Sequence, residues 1–424
     1  MATSYPIRPV RPAELAAFMA VSEQAFNSTW PADEMIEIER KLFEPERGLA
    51  AFDGGQMVGT AMSYAFELTV PGGLADAAGI SGVSVLPSHR RQGILTAMMR
   101  RQLTDLAAGG EPVAALFAAE SGIYRRYGYG IASEQYNLSI LTGARQLAAG
   151  ASGRAGKPGD KPGGLTIRLA DRQAVGKDLM TVYDAVRAGQ PGMVSRTADW
   201  WEVLLADPAF MREGCTPLGC VVAADGTGVR GYALYVAKPQ WGEDSMPSHE
   251  LIVRELFAVD PVAHAALWHH LLARDLVSEV SARSRPADDP LLHFLANRRA
   301  ARPRASDGLW IRLVDLPAAL SQRRYATDID VVIEVTDDML PANSGRWRLR
   351  AARSPDAEQP TCERVTGEPD IALGVAELGA AYLGGTRIGS LARADLVHEL
   401  RPGALAVLSA AMSWDPLPWS PMVF

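Results

Sequence analysis

The sequence predicts two successive α/β segments followed by an α+β segment. In the first segment, strand-like and helix-like stretches alternate, and a basic turn that contains a glycine joins one strand to a helix. The second segment repeats a strand, a proline-containing turn and a helix in the same order. In the third segment strands come before helices, which is the order of an α+β domain. A chain of 424 residues is long enough for two to four domains.

The first segment opens with a strand at 7–10 and a helix at 14–26, whose apolar residues fall on one side. The glycines after Asp53 predict a hairpin between strands at 48–52 and 57–66. This alternation is typical of an α/β unit.

A second strand–helix unit comes next in the same segment. The alternating Val83 and Val85 indicate a strand that is stopped by Pro87. Leucine and methionine side chains then recur at helical spacing over 95–106, until two glycines end the helix. The unbroken apolar run at 113–119 predicts a strand buried on both faces.

The turn at 90–93, Arg-Arg-Gln-Gly, has the chemistry of an anion site. It leads into a helix N-terminus, which presents unpaired backbone N–H groups and about half a positive charge. Gly93 allows a ligand to approach the backbone closely, and the arginines can pair with phosphate oxygens. The turn therefore suits a pyrophosphate; the alternative is a surface turn with two solvated arginines.

Residues 165–302 resemble a weaker copy of the first segment. A strand at 251–259 leads through an Asp-Pro pair into a helix at 262–276, but Ala263 and His264 stand where the first segment has its arginines and glycine. Because such a turn lacks phosphate-binding groups, we expect a second fold of the same type that binds no cofactor. Chance similarity between two α/β segments is the alternative.

The stretch 148–164 consists almost entirely of small, polar and charged residues with Pro and Gly, and has no large apolar residue to bury. It predicts a flexible linker between domains at 1–147 and 165–302. A long surface loop within one domain is the alternative.

The third domain is predicted to cover 303–424, after a basic, proline-containing stretch. Alternating Ile and Val side chains predict a strand at 329–335, and a turn at 341–345 leads into another strand. Helices are expected near 378–382 and 394–400.

The composition disfavours several classes of protein. No apolar run approaches the roughly 18 residues of a membrane-spanning helix, and the N-terminus has no signal-peptide pattern. Cys215, Cys220 and Cys362 make neither a disulfide framework nor a zinc site, which indicates reduced thiols in a cytoplasmic protein without a metal. The net charge of −7 disfavours nucleic acid as a partner and favours cationic partners.

Two spaced motifs resemble those of a known enzyme family. The run Val-Ser-Val-Leu-Pro-Ser-His-Arg-Arg-Gln-Gly-Ile-Leu at 83–95 resembles the cofactor loop of the GNAT acetyltransferase superfamily, with Leu95 in place of a final small residue. Together with Ile-Tyr-Arg-Arg-Tyr-Gly-Tyr-Gly at 123–130, it is similar to the enhanced intracellular survival (Eis) family of N-acetyltransferases. The resemblance implies two tandem GNAT-like domains and a C-terminal sterol-carrier-like domain. It also implies acetyl-CoA as donor, polycationic amines such as aminoglycosides and also protein lysine side chains as acceptors, and a homohexamer.

The resemblance also implies three groups of cofactor contacts. Backbone N–H groups of a splayed strand would hold the pantetheine arm and the oxyanion, the basic turn would hold the pyrophosphate, and the end of the next strand would touch the cofactor again. These residues are Val83, Ser84, Val85, Arg91, Gln92, Gly93, Ile94, Leu95, Thr96, Ala119 and Glu120.

Tyr124 is the predicted general acid. A phenol with a pKa of about 10 can protonate a departing thiolate of comparable basicity. In the family the tyrosine after Gly-Ile has this role, which corresponds to Tyr124. From the residues alone, Tyr127 and Tyr129 are alternatives, and a packed aromatic without a catalytic role is another.

The predicted general base is the C-terminal carboxylate. Residues 414–424 include two tryptophans and three prolines, and no charged side chain follows Asp415, so the tail is expected to be stiff and buried. The resemblance implies that the carboxylate of a terminal Phe, here Phe424, accepts the proton of the amine. A free α-carboxylate has a pKa of about 3.5, which burial would raise. The alternative is a tail that only plugs a groove.

The sequence thus predicts an acetyl-CoA-dependent N-acetyltransferase that works by direct transfer in a ternary complex, because no cysteine lies near the motifs to form an acetyl-enzyme. Asp33, Glu34 and Glu37 are candidate contacts for a polyamine or an ordinary solvated helix face. Two rival functions are a lipid or sterol carrier with a regulatory GNAT part, and a silent acyl-CoA sensor in which Tyr124 packs away from the cofactor.

Overall fold

A computed structural model of the chain describes residues 5–28, 32–142, 147, 164–243, 245–354 and 358–424. The predicted linker at 148–164 lies outside these residues, apart from Gly164. The chain divides into two compact units: Met1–Ser133 with Pro191–Ser195 and Asp307–Phe424, and Glu134–Gln190 with Arg196–Ser306. No helix in the described ranges is long and apolar enough to cross a membrane.

The N-terminal part of the first unit is an antiparallel meander followed by a parallel strand. Its elements are β1 (Ile7–Pro9), α1 (Leu15–Phe26), α2 (Ala32–Leu42), β2 (Gly48–Asp53), β3 (Gln56–Val70), β4 (Gly73–Val85), α3 (Ile94–Gly109), β5 (Val113–Phe117) and β6 (Gly130–Ile131). Strands β1 to β5 are neighbours in that order, and β5 runs parallel to β4. Helix α3 covers the sheet with a buried apolar face that includes Met99 and Leu103.

The second unit repeats this arrangement. Its elements are β7 (Glu134–Leu141), β8 (Thr166–Ala170), α4 (Gly176–Arg187), α5 (Ala198–Ala206), β9 (Gly219–Asp225), β10 (Gly228–Lys238), β11 (His249–Ala258), α6 (Pro261–Leu272), β12 (Val277–Pro286), α7 (Leu291–Phe294) and β13 (Arg304–Asp307). The sheet order is β13-β7-β12-β11-β10-β9-β8, and β11 and β12 are parallel. The predicted second fold of the GNAT type is therefore present.

The C-terminal part of the first unit is an α+β layer. Its elements are β14 (Leu309–Leu313), α8 (Leu316–Gln322), β15 (Ile329–Thr336), β16 (Gly345–Ala351), β17 (Thr361–Arg364), β18 (Ile371–Gly374), α9 (Val375–Ala381), α10 (Ile388–Arg393), β19 (Val397–Glu399) and α11 (Ala404–Met412). Five of these strands form a sheet in the order β17-β16-β15-β18-β19. The helix predicted at 394–400 is wrong, because Val397–Glu399 pairs antiparallel with β18.

Two strands join sheets across the predicted domain limits. Strand β14 lies between β5 and β6 in the first sheet, and β7 lies beside β12 in the second. Strand β7 falls within the domain predicted at 1–147, and β14 falls within the domain predicted at 303–424. Each strand therefore pairs in a sheet outside the domain predicted for it. The reason is physical: strand pairing is decided by backbone hydrogen bonds to distant partners, which a local hydrophobic pattern does not record.

Candidate active site

The parallel strands β4 and β5 separate at the centre of the first sheet. Their pairing runs from Ala77 and Val113 and ends at Ile80 and Leu116. Just beyond, Gly82 has a φ of +58°, and the β3–β4 register shifts so that two residues of β4 oppose one of β3. This is a glycine-containing β-bulge, which bends a strand and changes the direction of the residues after it. The edge of β4 at 83–85 is therefore turned away from β5.

Thr60 on β3 holds the bulge in place. Its hydroxyl donates to the Gly82 carbonyl at 2.8 Å and shares a 2.6 Å hydrogen bond with the Ser84 hydroxyl. Thr60 and Ser84 are both buried, so these bonds are protected from water. The side chain of Ser84 is thus engaged inside the sheet, and its backbone lies along the opening.

The basic turn connects β4 to the N-terminus of α3. Arg91 (φ +64°) and Gly93 (φ +81°) both adopt the left-handed region, and α3 begins directly after Gly93. A Cβ built at Gly93 meets no atom within 4 Å, so the turn is open on its outer side. The turn can thus bring a phosphate group against the first amides of a 16-residue helix.

Two side chains of the turn are engaged elsewhere. Arg90 donates to the Ala25 carbonyl at 3.0 Å, which ties the turn to the end of α1. Gln92 accepts from the Tyr5 hydroxyl and donates to the Ser88 carbonyl. The groups of the turn that remain available to contact a ligand are its backbone N–H groups and the Arg91 side chain.

A cleft of about 860 Å³ opens at this point of the sheet. Every predicted cofactor residue lines it except Gln92, and so does Tyr124. The sequence missed Phe26 and Asn27 at the end of α1 and Arg126 beyond β5, which also line it. Phe26 and Asn27 carry no local signal, because the fold alone brings them to the cleft, whereas Arg126 lies within the second motif at 123–130. An unpaired strand edge, an open helix N-terminus and arginines at the rim fit a long thioester with a pyrophosphate.

Tyr124 lies beyond β5, at the start of a 3₁₀ turn formed by Arg125–Tyr127. Its side chain is 8% exposed and faces the cleft. Burial, with smaller contributions from Tyr127 and Glu120, raises the pKa of Tyr124 to about 12. The hydroxyl is therefore protonated at neutral pH and is available as a proton donor.

The two neighbouring tyrosines have other surroundings. The Tyr127 hydroxyl shares a 3.1 Å hydrogen bond with the Thr96 hydroxyl. Tyr129 is completely buried and packs edge-on against the Tyr124 ring, at 6.0 Å between centroids. Tyr124 and Tyr127 both line the cleft, but the Tyr127 hydroxyl is engaged with Thr96, which leaves Tyr124 as the better-placed proton donor.

The turn after Tyr124 rests on the C-terminal layer. A Cβ at Gly128 would lie 2.9 Å from the guanidinium carbon of Arg312, which is completely buried. Arg312 donates twice to the Asp337 carboxylate, at 2.8 and 2.6 Å. Asp337 in turn accepts from the backbone N–H groups of Met339 and Leu340, which pack in the same core as Tyr124. This buried network fixes the floor on which the tyrosine turn lies.

The C-terminal tail is bound to the first unit along its length. Glycines provide the room: Cβ atoms at Gly384 and Gly385 would fall 2.4 Å from Trp414 and 2.7 Å from Pro418. Trp419 donates its backbone N–H to the Pro191 carbonyl at 2.8 Å. The tail is thus packed against the first unit, with residues 418–420 and Met422 buried and Asp415 and Val423 exposed.

The tail ends at the centre of the sheet. The ring of Phe424 lies 5.0 Å from the ring of Phe66 on β3 and 5.4 Å from that of Phe117 on β5, centroid to centroid. Its edge would be 2.9 Å from a Cβ at Gly79 on β4. Any side chain at Gly79 would collide with the Phe66 ring, at 2.3 Å from the Cβ, and with the terminal Phe424 ring.

The tail and Tyr124 lie on opposite faces of the sheet. Ile80 and Leu116 belong to the core that contains Tyr124 and the inner side of α3. Gly79 and Phe117 are their immediate neighbours in sequence, so they point to the other face, where the tail lies. Phe424 is accordingly not among the residues that line the cleft. The point where the strands part is thus approached from one face by a phenol and from the other by the chain terminus.

The fold and the cleft are those of a GNAT acetyltransferase, a class that uses acetyl-CoA. Models of acetyltransferase (GNAT) domains match residues 6–132 and 192–313, and a sterol carrier protein domain matches 316–421. The chain is 43% identical over 406 residues to an uncharacterized N-acetyltransferase of Streptomyces avermitilis, covering 95% of both chains.

Similarity to enzymes of the Eis type also extends over most of the chain. The chain is 33% identical over 367 residues to N-acetyltransferase Eis of Mycobacterium tuberculosis, covering 85% of this chain and 84% of that one. The crystal structure of Eis1 from Mycobacterium abscessus matches with 35% identity and a TM-score of 0.81, over 99% of this chain and 100% of that chain. The chain therefore belongs to the Eis family and is an N-acetyltransferase, as its two motifs predict.

Proposed function

We propose that this enzyme acetylates primary amines of polycationic acceptors, such as aminoglycosides and protein lysine side chains, by direct transfer from acetyl-CoA in a ternary complex. In this proposal Tyr124 is the general acid and the Phe424 carboxylate is the general base. The observation that carries it is the position of Phe424 against Phe66, Phe117 and Gly79, on the face of the sheet opposite Tyr124.

In this reaction the neutral amine attacks the thioester carbonyl carbon and forms the C–N bond, while backbone N–H groups at 83–85 donate to the oxyanion. The C–S bond then breaks, and the Tyr124 hydroxyl gives its proton to the thiolate sulfur. The proton lost by the amine nitrogen passes to the Phe424 carboxylate, directly or through a water. The products are an amide and the free thiol of coenzyme A.

Acetyl-CoA turnover with kanamycin as acceptor tests the proposal, with free-thiol release as the readout. Two variants separate the carboxylate from the ring: one glycine appended after Phe424 keeps the ring and moves the carboxylate, whereas Phe424→Leu keeps the carboxylate and replaces the ring. We expect the appended glycine to lower kcat by about 100-fold or more, the range of a lost acid–base group. Phe424→Leu should retain much more activity.

The matched control is Val423→Ala, because Val423 is 60% exposed and adjacent to the terminus. It should leave kcat unchanged. Full activity of the extended chain, at an unchanged melting temperature, would rule out the terminal carboxylate as the base. Absence of thiol release with kanamycin, spermidine and a lysine peptide alike would rule out the acceptor class.

The proposal extends to the assembly and location that the family resemblance implies, a homohexamer in the cytoplasm. Sedimentation equilibrium of the purified chain distinguishes six copies of a 45.5 kDa chain from smaller assemblies.

A further inference from the structure

A row of aromatic rings leads away from the end of the tail along β3. Tyr64 and Phe66 are two residues apart on this strand and so share a face, with ring centroids 6.0 Å apart. Phe66 contacts the terminal Phe424 ring, and Tyr64 pairs across the sheet with Gly79. The row therefore lies on the face from which the tail approaches the site.

The outer end of this row meets a carboxylate. The Tyr64 hydroxyl donates to the Oε2 atom of Glu39 on α2 at 3.3 Å. Glu39 is half-buried, and burial raises the pKa of its carboxyl group although the Tyr64 hydrogen bond opposes this. Tyr64 itself is 5% exposed, so the contact lies inside the fold and not on the outer side of α2.

No cationic side chain of the described residues forms an ion pair with Glu39. On the same helix Arg40 pairs with Glu37 at 3.0 Å, and both of these side chains are more than half exposed. A partly desolvated carboxylate with a hydrogen-bond donor and no counter-charge binds a cation more favourably than a solvated one does. The neighbouring aromatic rings add a surface that also attracts cations.

We propose that Glu39, oriented by Tyr64, binds an ammonium group of the acceptor other than the one being acetylated. This inference rests on the proposed function, because it takes the tail's face of the sheet to be the acceptor's face. The site would make the enzyme prefer amines that carry a second positive charge at a fixed reach. The sequence-based candidates Asp33, Glu34 and Glu37 on the same helix are all exposed, which is what an ordinary solvated helix face would show.

The test compares Glu39→Gln with Glu37→Gln for three acceptors: kanamycin, 1,6-diaminohexane and the monoamine hexylamine. The Gln side chain keeps the shape and the acceptor for Tyr64 but removes the charge. We expect Glu39→Gln to raise KM about tenfold or more for the two multiply charged acceptors, the size of a lost charged hydrogen bond. KM for acetyl-CoA and turnover of hexylamine should be unchanged, and Glu37→Gln should match the wild type throughout.

Tyr64→Phe provides a second variant should Glu39→Gln lower the melting temperature. It leaves the charge but frees the carboxylate, so it should raise KM for the same two acceptors by a smaller factor. An equal effect of Glu39→Gln on all three acceptors, or a fall in kcat with KM unchanged, would overturn the proposal.

Calorimetric titration of 1,6-diaminohexane, with coenzyme A present, separates this inference from the proposed function. If the wild type acetylates no amine, the proposed function fails. Binding of the diamine to the wild type but not to Glu39→Gln would still support a cation site at Glu39. Equal binding to both proteins would overturn it.

Discussion

The two GNAT-like sheets have corresponding strand orders, and in each a gap follows the point where the central parallel strands stop pairing. The two gaps differ in what occupies them. In the first sheet, β4 and β5 pair as far as Ile80 and Leu116, and the gap beyond opens into the cleft. In the second, β11 and β12 pair as far as Val253 and Ala282, and a side chain fills the gap beyond. The same architecture thus supports an open gap and a filled one.

The side chain that fills the second gap is Arg285 on β12. Its guanidinium donates to the Leu256 carbonyl at 3.2 Å and to the Asp289 carboxylate at 2.6 Å, and neither charged side chain is more than 5% exposed. Leu256 lies three residues beyond the last parallel pair, as Val83 does in the first sheet. Arg285 therefore bonds the part of the strand edge that faces the cleft in the first sheet.

Two parallel strands that separate are therefore not sufficient to form a binding cleft. The first gap stays open because a glycine bulge at Gly82, pinned by Thr60, turns β4 away. The second is occupied by a buried ion pair, which favours the sequence-based expectation of a domain without a cofactor. Four sets of substitutions or conditions test this contrast between the open and the filled gap.

The strongest effect is expected for Tyr124, the proposed acid beside the open gap. Tyr124→Phe removes only the hydroxyl and should lower kcat by about 10²–10⁴-fold, because the thiolate would leave without a proton. Tyr129→Phe is the matched control, since Tyr129 is a completely buried neighbour whose hydroxyl has no hydrogen-bond partner among the described residues. Steady-state kinetics with saturating acetyl-CoA and acceptor measures both. Equal activity of the two variants would remove Tyr124 from the mechanism.

The second prediction concerns the filled gap. Arg285→Met leaves the Asp289 carboxylate buried without its partner and should destabilise the protein by about 3–5 kcal/mol. Because the site lies in the first sheet, kcat of the folded variant should stay unchanged. Urea unfolding measures the first quantity and steady-state kinetics the second. A loss of activity at temperatures where the variant is folded would mean that the second sheet takes part in the reaction.

The sequence predicts a good part of this contrast. The alternating elements indicated the fold class, and the Arg-Arg-Gln-Gly turn located the cleft. The prediction of a helix at 394–400 is wrong: Leu396 and Leu400 have helical spacing, but Val397–Glu399 forms an edge strand. Three features could not be predicted: the Phe66–Phe424 contact, the position of Arg285 in the second gap, and the pairing of β7 and β14 in sheets outside their predicted domains. Each depends on which distant segments meet, and no local pattern records that.

A smaller effect should appear as a pH dependence of the filled gap. His264 on α6 lies 3.8 Å from Asp289, and burial lowers its pKa to about 4, with Asp289 opposing and Arg285 reinforcing the shift. Between pH 6.5 and 4 the unfolded chain therefore binds a proton that the folded chain does not, so stability falls as pH falls. The integrated loss is at most about 3 kcal/mol.

Urea unfolding at about pH 7 and about pH 4.5 measures this loss, with His264→Gln as the comparison. The variant should lose less stability than the wild type over the same interval. Parallel losses in the two proteins would show that His264 is not the titrating group, and that carboxylates elsewhere carry the acid sensitivity.

The weakest effect concerns the two ends of α3, which provide a matched pair of glycines, one at the open gap and one at the far end of the helix. Gly93 before the helix and Gly110 after it have φ values of +81° and +80°, and a Cβ at either meets no atom within 4 Å. Alanine at either position should cost about 1–2 kcal/mol of stability, from the left-handed backbone alone. Only Gly93→Ala should also raise KM for acetyl-CoA, by several-fold, because its methyl group lies where the turn would meet a phosphate. Unfolding and initial rates with both variants separate strain from ligand contact: if the two raise KM for acetyl-CoA equally, the turn does not hold the pyrophosphate, and the cleft must bind its donor through β4 alone.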